Sequence, residues 1–480
     1  MSKKFEVNLV VIGGGSAGLV SSYIAAAVKA KVVLIERHKM GGDCLNTGCV
    51  PSKAILRSAK MASYMKRSEE FGFKAVKPVP VFKNIMQRVH KVIETIEPHD
   101  SIERYTGLGV ECVTGEATIL SPHEVQVDDR VITTKNIIIA SGARPFVPPI
   151  EGLDKIDYLT SDNIWNITEQ PKRLIVLGGG PIGCELSQAF GKLGSDVTQV
   201  EMMPTIMGRE DDDAKEVVAA SMKNSNVNVL TEHRALRVET ENNNKVLICD
   251  NNGEEVRIEF DDILVAVGRT ANTSDLGLDK LGIKLRKNGT IETDDYLRTS
   301  VDNIYACGDV TGPYQFTHTA AHQAYYAVVN SLFGFLKKTK VDYRVIPWAT
   351  FTMPEVARVG LNETDAKAQN VPYDVTKYEL DDLDRAIADG EIQGFVKVLT
   401  KPGKDKILGV TIVGHHAGDL ISEYVLAMRN NLGLKDIMNT IHLYPSLAEA
   451  NKYAAGMWRQ ANKPEGVLRW VEKLHNWRRK

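Results

Sequence analysis

Residues 13–18 read Gly13-Gly14-Gly15-Ser16-Ala17-Gly18. The mostly apolar residues before this run predict a buried strand that ends at Ile12, and the Ala-rich segment after it predicts a helix to about Ala30. A second predicted strand ends at Glu36, an acid about 20 residues past the glycines. This order of strand, glycine turn, helix, strand and acid is typical of a dinucleotide-binding βαβ unit.

The residues of this unit have separate predicted tasks. Gly13 permits the tight turn, Gly15 lets a pyrophosphate approach the backbone, and Gly18 lets the helix pack closely on the strand. Glu36 would accept hydrogen bonds from a ribose. The predicted cofactor-binding residues of this first unit are Gly13, Gly15, Ser16, Gly18 and Glu36.

The same pattern returns between residues 174 and 201, where a second glycine turn precedes a helix and a strand that ends at Glu201. Two such units predict two dinucleotides, one held permanently and one exchanging. We favour NADH because an acid at Glu201 binds the free 2′-hydroxyl of NAD and repels the 2′-phosphate of NADP. Arg209 could weaken this preference, so NADPH stays open. The predicted binding residues of the second unit are Gly178, Gly180, Gly183 and Glu201.

Two cysteines, Cys44 and Cys49, lie just downstream of the first unit. On a regular helix, the Cα atoms of residues five positions apart are about 8–9 Å from each other. A disulfide requires a Cα–Cα distance of roughly 4.4–6.8 Å. We therefore expect a bend, for which Gly48 supplies the backbone freedom. A helix that begins at Pro51 would leave Cys49 at its positive end, where a thiolate is stabilised. Such a pair suits a catalytic disulfide, and the alternative is two unrelated buried cysteines.

Length and composition set the remaining limits. A chain of 480 residues has room for about three domains, and its net charge of −2 argues against a nucleic-acid partner. Six irregularly placed cysteines do not resemble a secreted disulfide framework. The N-terminal residues Met1 to Glu6 lead at once into a strand, so we expect no signal peptide. The cytoplasm is the expected location, and we predict no resident metal site.

Together these features resemble the flavin-dependent pyridine nucleotide–disulfide oxidoreductases. Ile137 to Pro145 looks like the crossover from a flavin domain to an NAD domain, and Ala266 to Thr270 looks like the return. Thr299 to Asp309 is similar to the second flavin motif, and Pro347 to Gly360 resembles the start of the dimer-interface domain. The resemblance implies FAD and NAD(P)H as cofactors and a homodimer as the assembly.

The implied fold class is α/β, with two Rossmann-like dinucleotide-binding domains and a C-terminal α+β dimerisation domain. The predicted division assigns 1–148 to the first part of the FAD-binding domain, 149–270 to the NAD(P)-binding domain, 271–345 to the second FAD or central part, 346–462 to the dimer-interface domain and 463–480 to a basic amphipathic C-terminal helix.

The resemblance also implies residue roles. Cys49 would be the thiolate in contact with the flavin, and Cys44 the thiol that exchanges with the acceptor. Lys53 would point its ammonium at the flavin and pair with Glu185, although both could instead be solvated helix charges. The further residues implied in cofactor binding are Gly42, Lys53, Ser141, Gly142, Gly268, Arg269, Gly308 and Asp309.

One position departs from the family pattern. Where dihydrolipoamide dehydrogenases carry a proton-transferring histidine, this chain has Tyr444, while the glutamate that orients it remains as Glu449. Both are predicted to be catalytic and to complete the site of the other subunit. A phenol can donate a proton but is a poor base near neutral pH. His442 could substitute only if the backbone shifts, and a structural role for it is favoured.

The predicted function is therefore transfer of electrons from NAD(P)H through flavin to the Cys44–Cys49 disulfide and on to a disulfide-type or soft-metal acceptor. The alternatives are a dihydrolipoamide dehydrogenase of a 2-oxo acid dehydrogenase complex, a mercuric reductase-like metal reductase and a membrane-docked redox partner or sensor. The full mercuric route lacks its delivery ligands, because no cysteine follows Cys307. His318 and His322 are candidates for the acceptor side, with core roles at least as favoured.

The last stretch of the chain forms a separate feature. Apolar residues recur at helical spacing between Val467 and Trp477, with basic residues among them. Such a helix can lie on an anionic membrane surface, or it can pack on its own protein or on the second subunit. Packing on its own protein or on the second subunit is the favoured role, and a peripheral membrane contact is the alternative.

Overall fold

The computed structural model describes residues 5–241 and 244–480. The first four residues, on which the expectation of no signal peptide partly rests, lie outside the described residues. The chain divides into two compact units. Unit 1 comprises the chain up to Ile206 together with Ser225–Asp342, and unit 2 comprises Met207–Asn224 together with Tyr343–Lys480. The finer domain division into five segments stays a prediction.

The strands are numbered in chain order. They are β1 (Val7–Ile12), β2 (Val32–Glu36), β3 (Val110–Thr114), β4 (Ala117–Ser121), β5 (Glu124–Val127), β6 (Arg130–Ile139), β7 (Ala143–Pro145), β8 (Arg173–Leu177), β9 (Asp196–Val200), β10 (Val227–Leu230), β11 (Arg234–Glu241), β12 (Asn244–Asn251), β13 (Glu254–Phe260), β14 (Asp262–Val265), β15 (Arg269–Ala271), β16 (Ile304–Ala306), β17 (Pro347–Thr350), β18 (Glu355–Gly360), β19 (Asp374–Glu379), β20 (Phe395–Thr400) and β21 (Ile407–Gly414). The last five belong to unit 2.

The helices follow the same numbering. They are α1 (Ser16–Ala27), α2 (Gly42–Asn46), α3 (Cys49–Lys66), α4 (Phe82–Ile96), α5 (Ile102–Gly107), α6 (Pro181–Leu193), α7 (Asp212–Lys223), α8 (Thr317–Phe333), α9 (Glu363–Ala368), α10 (Asp384–Asp389), α11 (Ala417–Arg429), α12 (Leu434–Asn439), α13 (Glu449–Ala461) and α14 (Glu465–Arg478). Of these, α7 and α9 to α14 belong to unit 2.

The larger sheet of unit 1 follows the order β3-β2-β1-β6-β5-β4, with β16 paired to β6. Strands β3, β2, β1, β6 and β16 are parallel, and β4, β5 and the start of β6 are antiparallel. The central strands are nearly continuous apolar runs, since both faces of a parallel sheet are covered. Val10, Val33, Ile137 and Ile139 are accordingly fully buried. The first glycine turn lies at the carboxyl end of β1.

A second parallel sheet, β10-β9-β8-β14, carries the second glycine turn at the end of β8. An antiparallel sheet, β11-β12-β13, lies in the same unit. The predicted crossover and return segments pair directly with each other, because β7 and β15 form a two-stranded antiparallel ribbon in which Ala143 faces Ala271. The two connections between nucleotide-binding parts are thus held side by side.

Unit 2 is built on the antiparallel sheet β17-β18-β21-β20-β19. Its core contains the buried side chains of Tyr424 and Trp458 among aliphatic residues from the sheet and from α11 to α13. The predicted fold class is confirmed, since two parallel nucleotide-binding-type sheets and a separate α+β unit are present. Within residues 5–241 and 244–480, no helix combines the length and the apolar character needed to cross a bilayer.

Candidate active site

The first glycine turn is shaped by close backbone approaches. Gly13 adopts a φ of +107°, and a Cβ on it would lie 2.3 Å from the carbonyl oxygen of Ala140. A Cβ on Gly18 would lie 1.7 Å from the carbonyl oxygen of Gly13. By contrast, a Cβ on Gly15 would meet only Gly42, at 3.7 Å. Two glycines are thus required by the protein itself, and Gly15 borders the space that a pyrophosphate would need.

The acid at the end of β2 is fixed by this turn. One oxygen of Glu36 accepts the backbone N–H of Gly14 at 2.6 Å, and the other accepts that of His38 at 2.8 Å. Each carboxylate oxygen has a second lone pair, so Glu36 can still accept from ribose hydroxyls. The residues present therefore fit an adenine dinucleotide at the first turn.

The second turn repeats this arrangement atom by atom. A Cβ on Gly178 would lie 2.5 Å from the carbonyl oxygen of Ala266, whereas a Cβ on Gly180 would meet nothing within 4 Å. Glu201 accepts the N–H of Gly179 at 2.5 Å and that of Met203 at 2.7 Å. A Cβ on Gly183 would lie 2.1 Å from the carbonyl oxygen of Gly178. The second predicted nucleotide site thus has the same built form as the first.

In the predicted second flavin motif, the largely buried carboxyl group of Asp309 lies beside the guanidinium of Arg269. The Nε of Arg269 lies 3.7 Å from Oδ2 of Asp309, and the same guanidinium contacts Asp43 and the carbonyl of Ala143. Burial raises the pKa of Asp309 to about 6 despite the nearby arginine. The Nε of Arg269 is buried without a hydrogen-bond partner among the described residues. A desolvated acid beside an unsatisfied guanidinium N–H fits a polar cofactor at this place.

The remaining predicted flavin-site residues lie at the crossover and the second motif. Ser141 donates to the carbonyl of Asn272 at 2.7 Å, and Asn272 returns a bond to the carbonyl of Ser141 at 2.9 Å. Gly142 and Gly268 have positive φ angles and open space at the Cβ position, and Gly308 donates its N–H to a buried glutamine. Asn272 was not predicted from the sequence, although it lies two residues after the return segment Ala266 to Thr270.

The cysteine pair lies at a break between two helices. Cys44 is on α2 and Cys49 is the first residue of α3, with Gly48 between the helices. The prediction that the helix begins at Pro51 is wrong by two residues, because proline is tolerated throughout the first turn, where backbone N–H groups have no intrahelical partner. Cys49 still occupies the positive helix end, as expected. Both sulfurs are free thiols in this structure.

The two sulfurs influence each other and have opposite acidities. The hydrogen bond from Cys44 lowers the pKa of Cys49 to about 5, and Thr317 and Lys53 act in the same direction. The same bond raises the pKa of Cys44 well above its ordinary value. Near neutral pH the reduced pair is therefore one thiol and one thiolate, with the negative charge on Cys49.

The predicted ion pair is present. The Nζ of Lys53 lies 2.9 Å from Oε2 of Glu185, and the Glu185 side chain is only 7% exposed. The two residues come from α3 and α6, far apart in sequence, so they are not merely solvated charges on separate helices. Lys53 acts to lower the pKa of Cys49, and Glu185 acts in the opposite direction.

Thr317 was not predicted from the sequence. It is the first residue of α8, and its hydroxyl oxygen lies 3.5 Å from the sulfur of Cys49. The neighbouring His318 stacks on Phe316 with ring centroids 5.4 Å apart. His322 faces the carbonyl oxygen of Asp342 at 3.1 Å. These contacts give both histidines structural partners, and their proposed acceptor-side role stays a prediction.

Unit 2 holds the remaining predicted residues. Tyr444 is 63% exposed and donates its hydroxyl to Asp384 at 3.0 Å. Glu449 accepts from the backbone of Ser446 at 3.3 Å and from the hydroxyl of Tyr453 at 3.4 Å. Tyr444 and Glu449 thus have different partners, and the bond to Asp384 raises the pKa of Tyr444.

His442 is held by its own neighbours in unit 2. Its Nε2 lies 2.9 Å from Oε1 of Glu423 and its Nδ1 lies 3.0 Å from the carbonyl oxygen of Thr440. The side chain is only 5% exposed. These contacts are consistent with the structural role that was favoured for His442.

Comparison with known proteins gives matches over most of the chain. The family model described as pyridine nucleotide-disulphide oxidoreductase matches residues 7–324, and that of the corresponding dimerisation domain matches residues 346–455. Dihydrolipoyl dehydrogenase of Chlamydia trachomatis is 35% identical over 457 residues, which cover 94% of this chain and 96% of the relative. Mercuric reductase of Staphylococcus aureus is 34% identical over 450 residues, which cover 94% of this chain and 82% of the relative.

Among solved structures, the HOCl-induced flavoprotein disulfide reductase RclA of Escherichia coli is similar over 94% of this chain and 99% of its own. The TM-score is 0.84 and the sequence identity is 25%. A Cu(II) complex of the same reductase matches equally well, with a TM-score of 0.84.

Proposed function

This chain belongs to the pyridine nucleotide–disulphide oxidoreductase family, and we propose that it uses NADH to reduce a disulfide-type or soft-metal acceptor through Cys44 and Cys49. It is a NAD(P)H-dependent flavoprotein disulfide reductase with FAD as its cofactor. The proposal goes beyond this assignment in three respects, which are the choice of NADH, the roles of the individual residues and the class of acceptor.

The observation that carries the proposal is the different surroundings of the two sulfurs: Cys49 is the first residue of α3 with the Thr317 hydroxyl 3.5 Å from its sulfur, whereas Cys44 lies on α2. Cys49 holds the negative charge because Cys44, Thr317 and Lys53 all stabilise its thiolate. Cys44 keeps its proton near neutral pH and is the thiol free to exchange with an external acceptor. FAD, held by the first glycine turn with Asp309 and Arg269, would supply the conversion of a hydride into two electrons for the pair.

Exchange at Cys44 sets the class of acceptor. To attack a disulfide, Cys44 must lose its proton; its sulfur then bonds to one acceptor sulfur and the other leaves as a thiolate. Cys49 next displaces the bound half as a second thiolate, so the Cys44–Cys49 disulfide forms and the acceptor has gained two electrons. A soft metal ion would need less help from a base, because it binds thiolates directly and displaces their protons.

The proton from Cys44 has no imidazole to receive it at position 444. Tyr444 has a raised pKa and is a poor base near neutral pH. We therefore propose that dihydrolipoamide is a weak substrate and that acceptors with good leaving groups, or soft metal ions, are reduced faster. The relatives in hand include both a mercuric reductase and a reductase solved as a Cu(II) complex.

A homodimer is supported by the match to the family's dimerisation domain. Ile441 and Leu443, which flank His442, are 95% and 78% exposed. Apolar side chains that are this exposed and only two residues apart are expected to be covered by another surface. We propose that a second subunit covers this segment and that Tyr444 and Glu449 complete the site of that subunit.

We also propose the cytoplasm as the location. The six cysteines of the chain are irregularly placed and do not resemble a secreted disulfide framework, and a redox-active cysteine pair is typical of a protein in a reducing compartment.

The test is an anaerobic acceptor screen with three matched variants. Cys44→Ser should still let NADH bleach the flavin in a single turnover, yet it should lose at least 99% of steady-state turnover with disulfides and with soft metal ions. Cys49→Ser should lose turnover as well. Cys112→Ser, at a cysteine outside the pair, should leave turnover unchanged. Full acceptor turnover by Cys44→Ser would contradict the proposal.

A further inference from the structure

We propose that α14 is a peripheral anchor that lies flat on an anionic lipid bilayer. This helix spans Glu465–Arg478, and none of its residues is buried. Val467, Trp470 and Trp477 are 56%, 63% and 71% exposed. Exposing several large apolar side chains to water along one helix is energetically unfavourable and uncommon in monomeric proteins. We therefore expect this apolar surface to be buried against another surface, such as a lipid bilayer or a protein.

The apolar residues share one face of the helix. At 3.6 residues per turn, five of the apolar residues from Val467 to Trp477 fall within an arc of about 120°, and Leu468 lies about 60° beyond its edge. That arc is as wide as the stripe by which a surface helix packs on a core. The residues of this face are Val467, Trp470, Val471, Leu474 and Trp477. The opposite side carries Glu472, Asn476 and Arg469, which suit contact with water.

Charge complementarity favours lipid as the covering medium. Residues 463–480 carry six Lys or Arg against two Glu, a side-chain charge of +4, in a chain whose net charge is −2. Lys473 borders the apolar arc, and Arg478 lies within it at the helix end. The core of a protein–protein interface is depleted of charge, whereas an interfacial membrane helix places basic residues beside its apolar face.

The two tryptophans support the same assignment. Tryptophan is enriched at the level of lipid headgroups, where its ring is partly apolar and its N–H is hydrated. The helix has 14 residues, too few for the about 20 needed to span a bilayer. The structure therefore points to a helix that lies in the interface plane and does not cross the membrane.

The positions of the tryptophans allow vesicle binding by α14 to be followed by tryptophan fluorescence. Of the five in the chain, Trp165 and Trp458 are buried at 3% and 4% exposure, and Trp348 is partly buried. Emission that shifts to shorter wavelength on addition of vesicles therefore reports Trp470 and Trp477. Phosphatidylglycerol–phosphatidylcholine vesicles should cause this shift in the full-length, flavin-loaded enzyme, and pure phosphatidylcholine vesicles should cause much less.

Matched variants separate apolar from electrostatic contributions. Trp470→Ser with Trp477→Ser should reduce co-sedimentation with anionic vesicles at least tenfold. Lys473→Gln with Arg478→Gln should reduce it by about 25-fold at low salt, since each basic residue near an anionic surface contributes about a fivefold factor. Val79→Ser, which removes an apolar side chain that is 81% exposed elsewhere, should change nothing. Added salt should weaken binding of the parent.

Two outcomes would overturn the proposal. Equal sedimentation of the parent and of a variant lacking residues 465–480 would show that α14 does not bind lipid. Loss of the dimer in analytical ultracentrifugation on the same deletion, without any vesicle binding by the parent, would assign the apolar face to a second copy of the chain. Flavin content and NADH-dependent flavin reduction should be unchanged in all variants, which shows that the fold is retained.

Discussion

The hydroxyl oxygen of Thr317 lies 3.5 Å from the sulfur of Cys49. A hydroxyl at this distance can donate to a thiolate, and Thr317 contributes to the lowering of the Cys49 pKa to about 5. Thr317→Val keeps the shape of the side chain and removes the donor. We expect the pKa of Cys49 to rise by about one unit, the equivalent of about 1.4 kcal/mol.

This pKa can be measured on the reduced enzyme by the pH dependence of alkylation with iodoacetamide, with the Cys49 peptide quantified by mass spectrometry. Above its pKa Cys49 is the reactive thiolate, so the midpoint should move to higher pH in Thr317→Val. Thr317→Ser, which keeps the hydroxyl, should stay close to the parent. Cys307 serves as an internal control, since burial raises its pKa to about 12. An unchanged midpoint in Thr317→Val would remove Thr317 from the site.

Thr317 shows where sequence reasoning reaches its limit. The glycine turns and their acids were predictable because strand, turn and helix lie within one short stretch, where spacing fixes geometry. Lys53 and Glu185 were found only through family resemblance, since they are 132 residues apart. Thr317 is 268 residues from Cys49, and no local pattern distinguishes a threonine at a helix start from an ordinary one.

The start of α3 was predicted two residues late for a different reason. The preference of proline for the first helical position is a statistical tendency, and any position in the first turn leaves its missing N–H without cost. The partner of Tyr444 was equally hidden, because Asp384 lies 60 residues earlier on a short helix. Contacts of this kind depend on the packing of the whole unit.

Asp309 should make the stability of the flavin-free protein depend on pH. Burial raises its pKa from 3.8 to about 6, so between these values the folded state binds more protons than the unfolded state. The free energy of unfolding should therefore fall as pH rises from about 4 to 6. Asp309→Asn removes this penalty and should stabilise the flavin-free protein at pH 7 by about 3 kcal/mol, with no gain below pH 4.

Urea denaturation of the flavin-free protein at several pH values measures this effect. Asp302→Asn is a suitable control because its side chain is 93% exposed, and it should leave the pH profile unchanged. The same Asp309→Asn variant should retain less FAD on gel filtration. A variant that is less stable than the parent at pH 7 would contradict the expected sign.

Glu201 should decide the choice between the two nicotinamide cofactors. Its carboxylate is held at the second glycine turn by the backbone N–H groups of Gly179 and Met203, where it would repel a 2′-phosphate. Glu201→Gln keeps an acceptor and removes the charge. We expect the ratio of kcat/KM for NADH to that for NADPH to fall at least tenfold, an effect of about 1.4 kcal/mol.

The internal repeat supplies the control for this measurement. Glu36 has the same two backbone contacts at the first turn, so Glu36→Gln is a matched change at the other nucleotide site. It should weaken FAD retention and leave the NADH to NADPH ratio unchanged. If Glu36→Gln instead changed that ratio and Glu201→Gln did not, the assignment of the two turns would be reversed.

The lack of a general base at position 444 should limit the rate of dihydrolipoamide oxidation. Its hydroxyl is bonded to Asp384, which raises its pKa, so near neutral pH it is not a base. Tyr444→His would place an imidazole there, with Asp384 available to orient it as a carboxylate orients a catalytic histidine. General base catalysis typically contributes about 10²–10⁴-fold. We expect at least a tenfold gain in kcat/KM for dihydrolipoamide oxidation, with Tyr444→Phe close to the parent.

The pH profile distinguishes a new base from a change in packing. The kcat/KM of Tyr444→His should depend on a group that titrates near pH 6.5, the ordinary pKa of histidine, and this limb should be missing in Tyr444→Phe. The rate of flavin reduction by NADH should be equal in all three proteins, because Tyr444 is assigned to the acceptor reaction alone. A Tyr444→His enzyme no faster than the parent would show that proton transfer at position 444 does not limit dihydrolipoamide oxidation.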